Sequence, residues 1–243
     1  MKNVVKQIVK RALAEVMPAS MLIIGGARTL PRIARPESSA GKTKESIALT
    51  FDDGPHPEWT PRLLDVMQEY RLQGTFFVIG QQAQRYPRLI ERIASEGHAL
   101  GNHSYTHSAA MMRNDDLFLE EVRITRHVLE DISGRPCNLV RPPKGIVTIR
   151  RLRELWRDRQ SIVLWNVDPR DFKMTSRDHV HNWCLRHPPC PGDVQLWHDN
   201  HPWVISAIDM LMTHPSQRRF QTMQTVTLES PSRSPAPLPC PIT

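Results

Sequence analysis

The sequence predicts an α/β fold built on a parallel sheet, either closed into a barrel or open. From Ser46 onward, short runs of β-branched and aromatic residues alternate with helical stretches. Polar clusters follow five of these runs, at the strand ends where parallel α/β proteins build their active sites. The chain has 243 residues, enough to bury a sizeable core.

The first predicted element is an amphipathic helix over residues 1–17, followed by a connecting loop over residues 28–44, which are rich in Pro, Arg, Ser and Gly. Its apolar stripe includes Val4, Val5, Ile8 and Val9, opposite several lysines. A basic helix of this kind either packs on the main domain, which we favour, or lies on an anionic membrane.

Seven strands are predicted, over Ile47–Thr50, Thr75–Ile79, Ala99–Gly101, Leu139–Arg141, Ile162–Trp165, Val194–Trp197 and Thr225–Leu228. Helices are predicted between them, over Arg62–Tyr70 with Thr60 as its N-cap, from Pro87 to Gly97, from Asn114 to Gly134, and over Thr148–Arg157, Arg177–Arg186 and Val204–Met212. Residues 229–243 contain five prolines and predict a disordered tail. The predicted boundaries are therefore 1–45, 46–228 and 229–243.

Charge and cysteine content exclude several classes of protein. The formal net charge is +7, but no basic run with interleaved aromatic residues occurs, so we expect no nucleic-acid partner. The four cysteines form no Cys-x-x-Cys pair, which favours reduced thiols. No signal peptide and no apolar run of membrane-spanning length is recognised, so we expect a protein that is cytoplasmic or peripheral at the membrane.

The first polar clusters suit a metal-dependent hydrolase. Asp52 and Asp53 are adjacent at a strand end, where one carboxylate can bind a metal while the other takes a proton from water; the alternative is a plain Asp-Gly-Pro turn. His103 and His107 stand four residues apart and could meet one cation. Two histidines and one aspartate, with open positions, suit a catalytic divalent metal.

The later clusters add charge and proton transfer. Arg141 precedes two prolines and could pair with Asp52 or Asp53. Asp171 could orient His198 as a proton donor to a leaving group. Each residue also has a structural reading, as a turn, a helix cap, a surface arginine or a core histidine.

These residues, in this order, resemble the polysaccharide deacetylase family, also called the NodB-homology domain or carbohydrate esterase family 4. The resemblance covers Ser46 to Leu228 and rests on TFDDGP, His-Ser-Tyr-Thr-His and the three later clusters. It implies a single-domain, distorted (β/α)7 barrel, similar to a TIM barrel. It also implies hydrolysis of N-acetyl, sometimes O-acetyl, groups on amino-sugar oligomers or polysaccharides such as chitooligosaccharide, peptidoglycan or exopolysaccharide.

The resemblance also implies a role for each site residue. The metal, most often Zn²⁺ with Co²⁺, Ni²⁺ or Mn²⁺ as alternatives, would be held by Asp53, His103 and His107. The catalytic residues would be Asp52 as base, His198 as acid, Arg141 as the group that holds the base and Asp171 as the group that tunes the acid. Substrate contacts would come from Lys144 through its backbone N–H, Phe172, Leu196 in the acetate-methyl pocket, and Trp197.

Two positions depart from the family pattern, since Lys144 stands where an aromatic residue is usual and Phe172 where Trp is usual. These changes bear on substrate shape more than on chemistry. Two other functions compete with deacetylation. A catalytically inactive carbohydrate-binding relative is disfavoured because the metal and proton-transfer residues are all present. A hydrolase of small non-sugar amides is disfavoured because Asp52 and Asp53 are both retained.

Overall fold

A computed structural model describes the backbone of residues 22–23 and all of residues 45–228. Every strand pairing in this part of the chain is parallel. The strands are β1 (Leu22–Ile23), β2 (Ser46–Asp52), β3 (Gly74–Val78), β4 (Ala99–Asn102), β5 (Leu139–Val140), β6 (Ser161–Val163), β7 (Val194–His198) and β8 (Gln224–Thr225). The predicted α/β class with a parallel sheet is confirmed.

The sheet curls into a distorted barrel. Paired strands follow the order β1-β6-β5-β4-β3-β2-β7, and β8 pairs with the start of β2. In place of a continuous ladder between β6 and β7, Val167 bridges to Gln195, and its carbonyl accepts the Leu196 N–H at 2.9 Å. The barrel therefore closes between β6 and β7 through a short segment, in which Asn166 and Val167 form hydrogen bonds with Val194 and Leu196 of β7, while β1 pairs along β6.

The largest core cluster lies between the sheet and the helices outside it. Leu49 and Phe51 of β2 pack there with Leu63, Leu64 and Ile208 from two helices, and all five are at most 2% exposed. Burying one such side chain contributes about 1.5–3 kcal/mol. This packing fixes the sheet and leaves the carboxyl ends of the strands free to carry polar groups.

The helices lie between the strands and cover Trp59–Glu69, Gly80–Arg85, Pro87–Ser95, Ala109–Arg113, Asp115–Ser133, Ile149–Arg157, Arg177–Arg186, Trp203–Thr213 and Arg218–Thr222. The predicted ends of the longest helix are confirmed. Asn114 Oδ1 accepts the backbone N–H groups of Asp116 and Leu117, and Gly134 ends the helix in the left-handed conformation, with a φ of 65°.

The predicted start of the helix Trp59–Glu69 is wrong. Thr60 is not its N-cap, because it lies inside the helix. Its hydroxyl donates to the Asp199 carboxylate at 2.6 Å. The helix begins at Trp59, and the His56 ring nitrogen Nδ1 accepts the N–H groups of Glu58 and Trp59 at 3.2 and 3.3 Å. The ring of His56, and not the hydroxyl of Thr60, thus accepts backbone N–H groups at the start of this helix.

Several short elements escape the sequence pattern. Gly80–Arg85 and Ala109–Arg113 are helices of six and five residues, too short to show a helical period. Four strands end earlier than predicted: β3 at Val78, β5 at Val140, β6 at Val163 and β8 at Thr225. For β6 the reason is visible, since the chain leaves the ladder after Val163 to reach the bridge at Val167.

The predicted helix over residues 1–17, the loop over residues 28–44 and the tail over residues 229–243 lie outside the described residues and stay predictions. Within the described part of the chain, no helix combines the length and apolarity required to cross a bilayer.

Candidate active site

The sheet brings the predicted site residues to one edge. Asp52 ends β2 and lies in register with His198, which ends β7. His103 directly follows the end of β4, and Arg141 directly follows the end of β5. Because all these strands are parallel, their carboxyl ends meet, and four segments far apart in sequence converge there.

Asp53, His103 and His107 form a compact group of possible metal ligands, with their ligand atoms all within 4.8 Å of one another. Asp53 Oδ1 lies 3.4 Å from His103 Nε2 and 3.5 Å from His107 Nε2. Two ligands of a tetrahedral zinc ion with bonds of 2.0–2.1 Å lie about 3.3–3.4 Å apart. The spacing is therefore that of ligands around one ion.

The polar atoms in this group also fit a cation. Asp53 Oδ1 is buried and has no hydrogen-bond partner among the described residues. An unpartnered buried carboxylate oxygen is costly, and a metal ion would satisfy it. His103 Nδ1 donates to the Arg141 carbonyl at 2.7 Å, which leaves Nε2 as the ligand atom. The residues present fit the divalent metal that the sequence predicts.

Burial and neighbouring charges set the protonation of the group. Burial works to raise the pKa of Asp53, but the close imidazole of His103 and the charges of the neighbouring histidines outweigh it and hold that pKa well below its ordinary value. Burial and the charge of His103 lower the pKa of His107. Burial also works to lower the pKa of His103, yet Asp52 and Asp53 raise it overall. The site therefore favours an ionised Asp53 as a ligand.

Arg141 holds Asp52. The arginine is fully buried, and its Nη1 donates to Asp52 Oδ1 and to Thr50 Oγ1, both at 2.7 Å. Its guanidinium lies over the Phe77 ring, 4.1 Å from the centroid. The second oxygen, Asp52 Oδ2, faces His103 Nε2 at 3.6 Å. The Arg141 guanidinium thus fixes one oxygen of Asp52, while the other oxygen faces the three candidate ligands Asp53, His103 and His107, which we call the metal group.

The loop that carries the histidines depends on residues that the sequence analysis missed. Asn102 Oδ1 accepts the Ser104 N–H at 2.9 Å, and Asn102 Nδ2 donates to a backbone carbonyl. The buried Glu121 accepts the N–H groups of Tyr105 and Thr106 at 3.1 and 2.8 Å, and the Thr106 hydroxyl at 2.6 Å. The Asn102 contact with Ser104 is a local Asx-type turn. Glu121 has no local signal in the sequence, because its partners lie 15 and 16 residues away.

Backbone strain concentrates around the site. Asp53, Ser104, His107 and Lys144 all have positive φ, at 74°, 67°, 55° and 57°. Each such residue other than glycine costs about 1–3 kcal/mol and persists only where its surroundings impose it. The metal-ligand loops are therefore held in shape by their neighbours and not by local preference.

His198 is paired with Asp171 as the sequence predicts. Its Nδ1 donates to Asp171 Oδ1 at 2.7 Å, and its backbone N–H donates to Asp171 Oδ2 at 2.8 Å. Burial works to lower the pKa of His198, but the hydrogen bond and charge of Asp171 raise it to about 9. His198 Nε2 points toward Asp53, 3.9 Å from Oδ2. A charged imidazolium therefore lies beside Asp53.

Of the four predicted substrate contacts, Lys144, Phe172 and Leu196 are placed where they can act, and Trp197 is not. The Lys144 N–H donates to no acceptor among the described residues, and Phe172 is 58% exposed with its ring 5.6 Å from that of His198. Leu196 and His198 share one face of β7 by strand alternation. The prediction that Trp197 contacts the substrate is wrong, because its side chain points to the other face of β7, is 1% exposed, and packs against Trp183 in the core.

Asp199 is another residue that the sequence analysis missed as a site residue. It is 1% exposed, and burial raises its pKa to about 7, with a further contribution from the charge of Asp53. It accepts the Thr60 hydroxyl, and Thr60 Oγ1 accepts the His56 N–H at 2.7 Å. A Cβ on Gly54 would collide with its carboxyl group, which explains glycine after Asp53. Asp199 therefore braces the loop of the first metal ligand.

A cleft of about 390 Å³ opens beside the metal group. Small-molecule sites commonly have about 300–1,000 Å³. Asp53 and His107 line it together with His56, Arg85 and Tyr86. The Arg85 guanidinium lies over the Tyr86 ring, 5.4 Å from the centroid. The cleft thus joins the metal group to an exposed cation and an aromatic face.

Comparison with known proteins gives consistent results. The family model described as polysaccharide deacetylase matches residues 39–157. A peptidoglycan-N-acetylglucosamine deacetylase of Bacillus cereus is 37% identical over 155 residues, which are 64% of this chain and 56% of that protein. A chitooligosaccharide deacetylase of Sinorhizobium fredii is 36% identical over 72% of this chain and 78% of that protein. The chain thus spans little more than half of the Bacillus cereus relative.

A solved structure supports the same family. The crystal structure of the Bc1960 peptidoglycan N-acetylglucosamine deacetylase superimposes with a TM-score of 0.72 and 30% identity. The match covers 88% of this chain and 95% of that one. The distorted barrel that the sequence resemblance implied is confirmed by this agreement.

Proposed function

The chain belongs to the polysaccharide deacetylase family, carbohydrate esterase family 4, and on that basis we propose that it is a metal-dependent hydrolase that removes N-acetyl groups from amino-sugar oligomers or polysaccharides. One observation carries the proposal. The Asp53, His103 and His107 group lies between two groups suited to opposite proton transfers, Asp52 held by Arg141 and His198 held by Asp171.

We propose Zn²⁺ as the metal, held by Asp53 Oδ1 and the Nε2 atoms of His103 and His107. Two imidazoles and one carboxylate are a common ligand set of catalytic zinc. When bound, the ion supplies a positive charge that polarises the acetyl carbonyl and makes water more acidic.

Asp52 acts as the general base. Because Arg141 occupies Oδ1, the free Oδ2 is the atom that accepts a proton from the attacking water. The arginine also prevents the carboxylate from rotating away, since its guanidinium is buried and itself held by Thr50. Proton transfer is therefore confined to one oxygen on the side of the metal group.

His198 acts as the general acid. Its Nδ1 proton is held by Asp171, so Nε2 carries the proton that passes to the departing sugar amine. The unpartnered Lys144 N–H is available to the oxyanion of the tetrahedral intermediate. A lysine in place of the usual aromatic residue leaves this donor in place, because the backbone and not the side chain supplies it.

The cleft supports an acetylated sugar as the substrate. Its aromatic wall at Tyr86 suits the face of a sugar ring, and His56 and Arg85 offer groups that sugar hydroxyls can contact. Leu196, on the same face of β7 as His198, offers an apolar wall for the acetyl methyl group. The named relatives act on peptidoglycan N-acetylglucosamine and on chitooligosaccharides, so we propose substrates of these two types.

Acetate release tests the proposal directly. The purified protein is incubated with chitin oligomers, peptidoglycan fragments, acetylated exopolysaccharide and small non-sugar amides, and free acetate is measured. We expect release from at least one amino-sugar substrate, with loss in Asp52→Asn and no change in the exposed control Asp65→Asn. Release from small amides alone would support the competing amidase, and binding without release would support an inactive carbohydrate-binding protein.

A further inference from the structure

A second group of metal-ligating side chains lies beside the first, formed by Asp171, His198 and His201. His201 belongs to the loop between β7 and the helix Trp203–Thr213. Both of its ring nitrogens are buried and have no hydrogen-bond partner among the described residues. The deacetylation mechanism uses Asp171 and His198 but gives His201 no role.

The position of His201 is that of a ligand and not of a hydrogen-bond donor. Its Nε2 lies 3.6 Å from Asp171 Oδ2, too far for a good hydrogen bond. That distance is close to the 3.4 and 3.5 Å between Asp53 Oδ1 and the two histidines of the first group. It is also close to the separation of about 3.3–3.4 Å between two ligands of a tetrahedral ion.

The three side chains together offer the same ligand types as the first group. Their ligand atoms all lie within 4.8 Å of one another, and two imidazoles with one carboxylate favour Zn²⁺, Co²⁺ or Ni²⁺ over Mg²⁺ or Ca²⁺. A cation would also give the buried ring of His201 the partner that it lacks.

We propose that Asp171, His198 and His201 form a second, inhibitory site for a divalent transition metal. A metal at this site would take the place of the proton on His198 Nδ1, which is released to solvent. The ring would then no longer be an imidazolium, and its Nε2–H would be too weak an acid to protonate the leaving amine. The inhibitory consequence rests on the proposed function, whereas metal binding at this site does not. Excess zinc would therefore inhibit the enzyme that one equivalent of zinc supports.

Binding at the second site costs the hydrogen bond between Asp171 and His198, which the first site does not require. A charge-assisted hydrogen bond is equivalent to about 10–100-fold in affinity, so the second equivalent should bind more weakly by about that factor.

Metal stoichiometry, measured without substrate, tests the site. The metal-free full-length chain is titrated with Zn²⁺ by calorimetry, and bound metal is counted after equilibrium dialysis. We expect two equivalents for the natural sequence and one, the tighter, for His201→Gln. The exposed His127 provides the matched control, and His127→Gln should keep both equivalents.

Activity then tests the inhibition. Acetate release by the natural sequence should fall as free Zn²⁺ rises through the range that fills the second site, whereas His201→Gln should remain active there. Two equivalents in both proteins, a single equivalent in the natural sequence, or equal inhibition of both would each contradict the proposal. Absence of acetate release from every substrate would instead count against the proposed function and would leave the stoichiometry result standing.

Discussion

The charge of His198 depends mainly on the Asp171 carboxylate that is hydrogen-bonded to it. Burial alone would lower the pKa of His198, and Asp171 raises that pKa to about 9. The imidazole is therefore charged below this pKa and neutral above it, so a reaction that needs its proton slows as pH rises. A cation at Asp53 repels the charged form and moves this decline to a pH below 9.

Removing the Asp171 charge should move the alkaline decline in turnover to a still lower pH. In Asp171→Asn the pKa of His198 falls, and turnover should be lost at a lower pH than in the natural sequence. Each unit of lowered pKa reduces the charged fraction about tenfold on the alkaline side. The measurement is kcat against pH, with Asp168→Asn, an exposed acid on the same loop, as the control. An alkaline limb at the same pH in Asp171→Asn would contradict the role of His198 as acid.

Replacing Asp52 with asparagine should separate metal binding from catalysis. The amide keeps the shape of the side chain and its contact with Arg141, but it cannot accept a proton. We expect a loss of kcat of about 10²–10⁴-fold with the metal content unchanged. Metal analysis and acetate release on the same sample check this. Loss of metal together with activity would show that Asp52 is a ligand and not only the base.

Local sequence patterns predicted the residues of the site far better than the buried residues around them. Asp52-Asp53 and the histidine pair are visible because their spacing is local, and strand order places them on one edge. Glu121, Asp199 and His201 are invisible because each finds its partners across the fold. Trp197 was misassigned for a simpler reason: one step along a strand moves a side chain to the opposite face.

At the scale of elements, the loop between His103 and His107 is held by one buried acid on the long helix. Glu121 accepts two backbone N–H groups and one hydroxyl from this loop. Its carboxylate thus positions the second histidine without touching the metal group.

Weakening this contact should weaken metal binding. In Glu121→Ala the loop loses its acceptors, and we expect metal affinity to fall about 10–100-fold. The neighbouring Glu120 is exposed and pairs with Arg123 at the surface, so Glu120→Ala is the matched control. Competition with a metal-binding dye gives both affinities. An unchanged affinity in Glu121→Ala would show that the loop keeps its shape without this carboxylate.

A second buried contact joins three helical segments. Arg151 is 1% exposed, donates to Asp115 Oδ1 at 2.6 Å, and donates to the carbonyls of Met111 and Met112 at 3.3 and 3.0 Å. Its guanidinium also lies over the Phe118 ring, 4.2 Å from the centroid. The short helix Ala109–Arg113, which the sequence pattern missed, is fixed by this side chain.

Truncating Arg151 should destabilise the fold. Arg151→Ala leaves buried acceptors without a donor, and we expect the free energy of unfolding to fall by about 3–5 kcal/mol. Arg150→Ala removes the adjacent arginine, whose pair with Asp116 is exposed, and should cost at most about 1 kcal/mol. Urea denaturation measures both. Equal effects would show that the buried contact contributes no more than a surface ion pair.

At the scale of the whole molecule, the alternation of strands and helices was sufficient to predict a parallel α/β fold. The sequence pattern could not predict how the sheet closes, because the Val167 bridge and the two-residue β1 carry no periodic signal. The site is positioned by the parallel strands, which the sequence pattern predicts. Its residues lie at or after the ends of β2, β4, β5, β6 and β7, which brings Asp53, His103 and His107 together with Asp52 and His198 at one edge of the sheet.

The measurement that tests the central claim most directly is a metal titration of the metal-free protein, with acetate release from an N-acetylated amino-sugar oligomer as the readout. The account predicts no release without metal, a linear rise to a maximum at one equivalent of Zn²⁺ per chain, and no rise in Asp53→Ala. Full activity in a metal-free preparation, or full activity in Asp53→Ala, would contradict it.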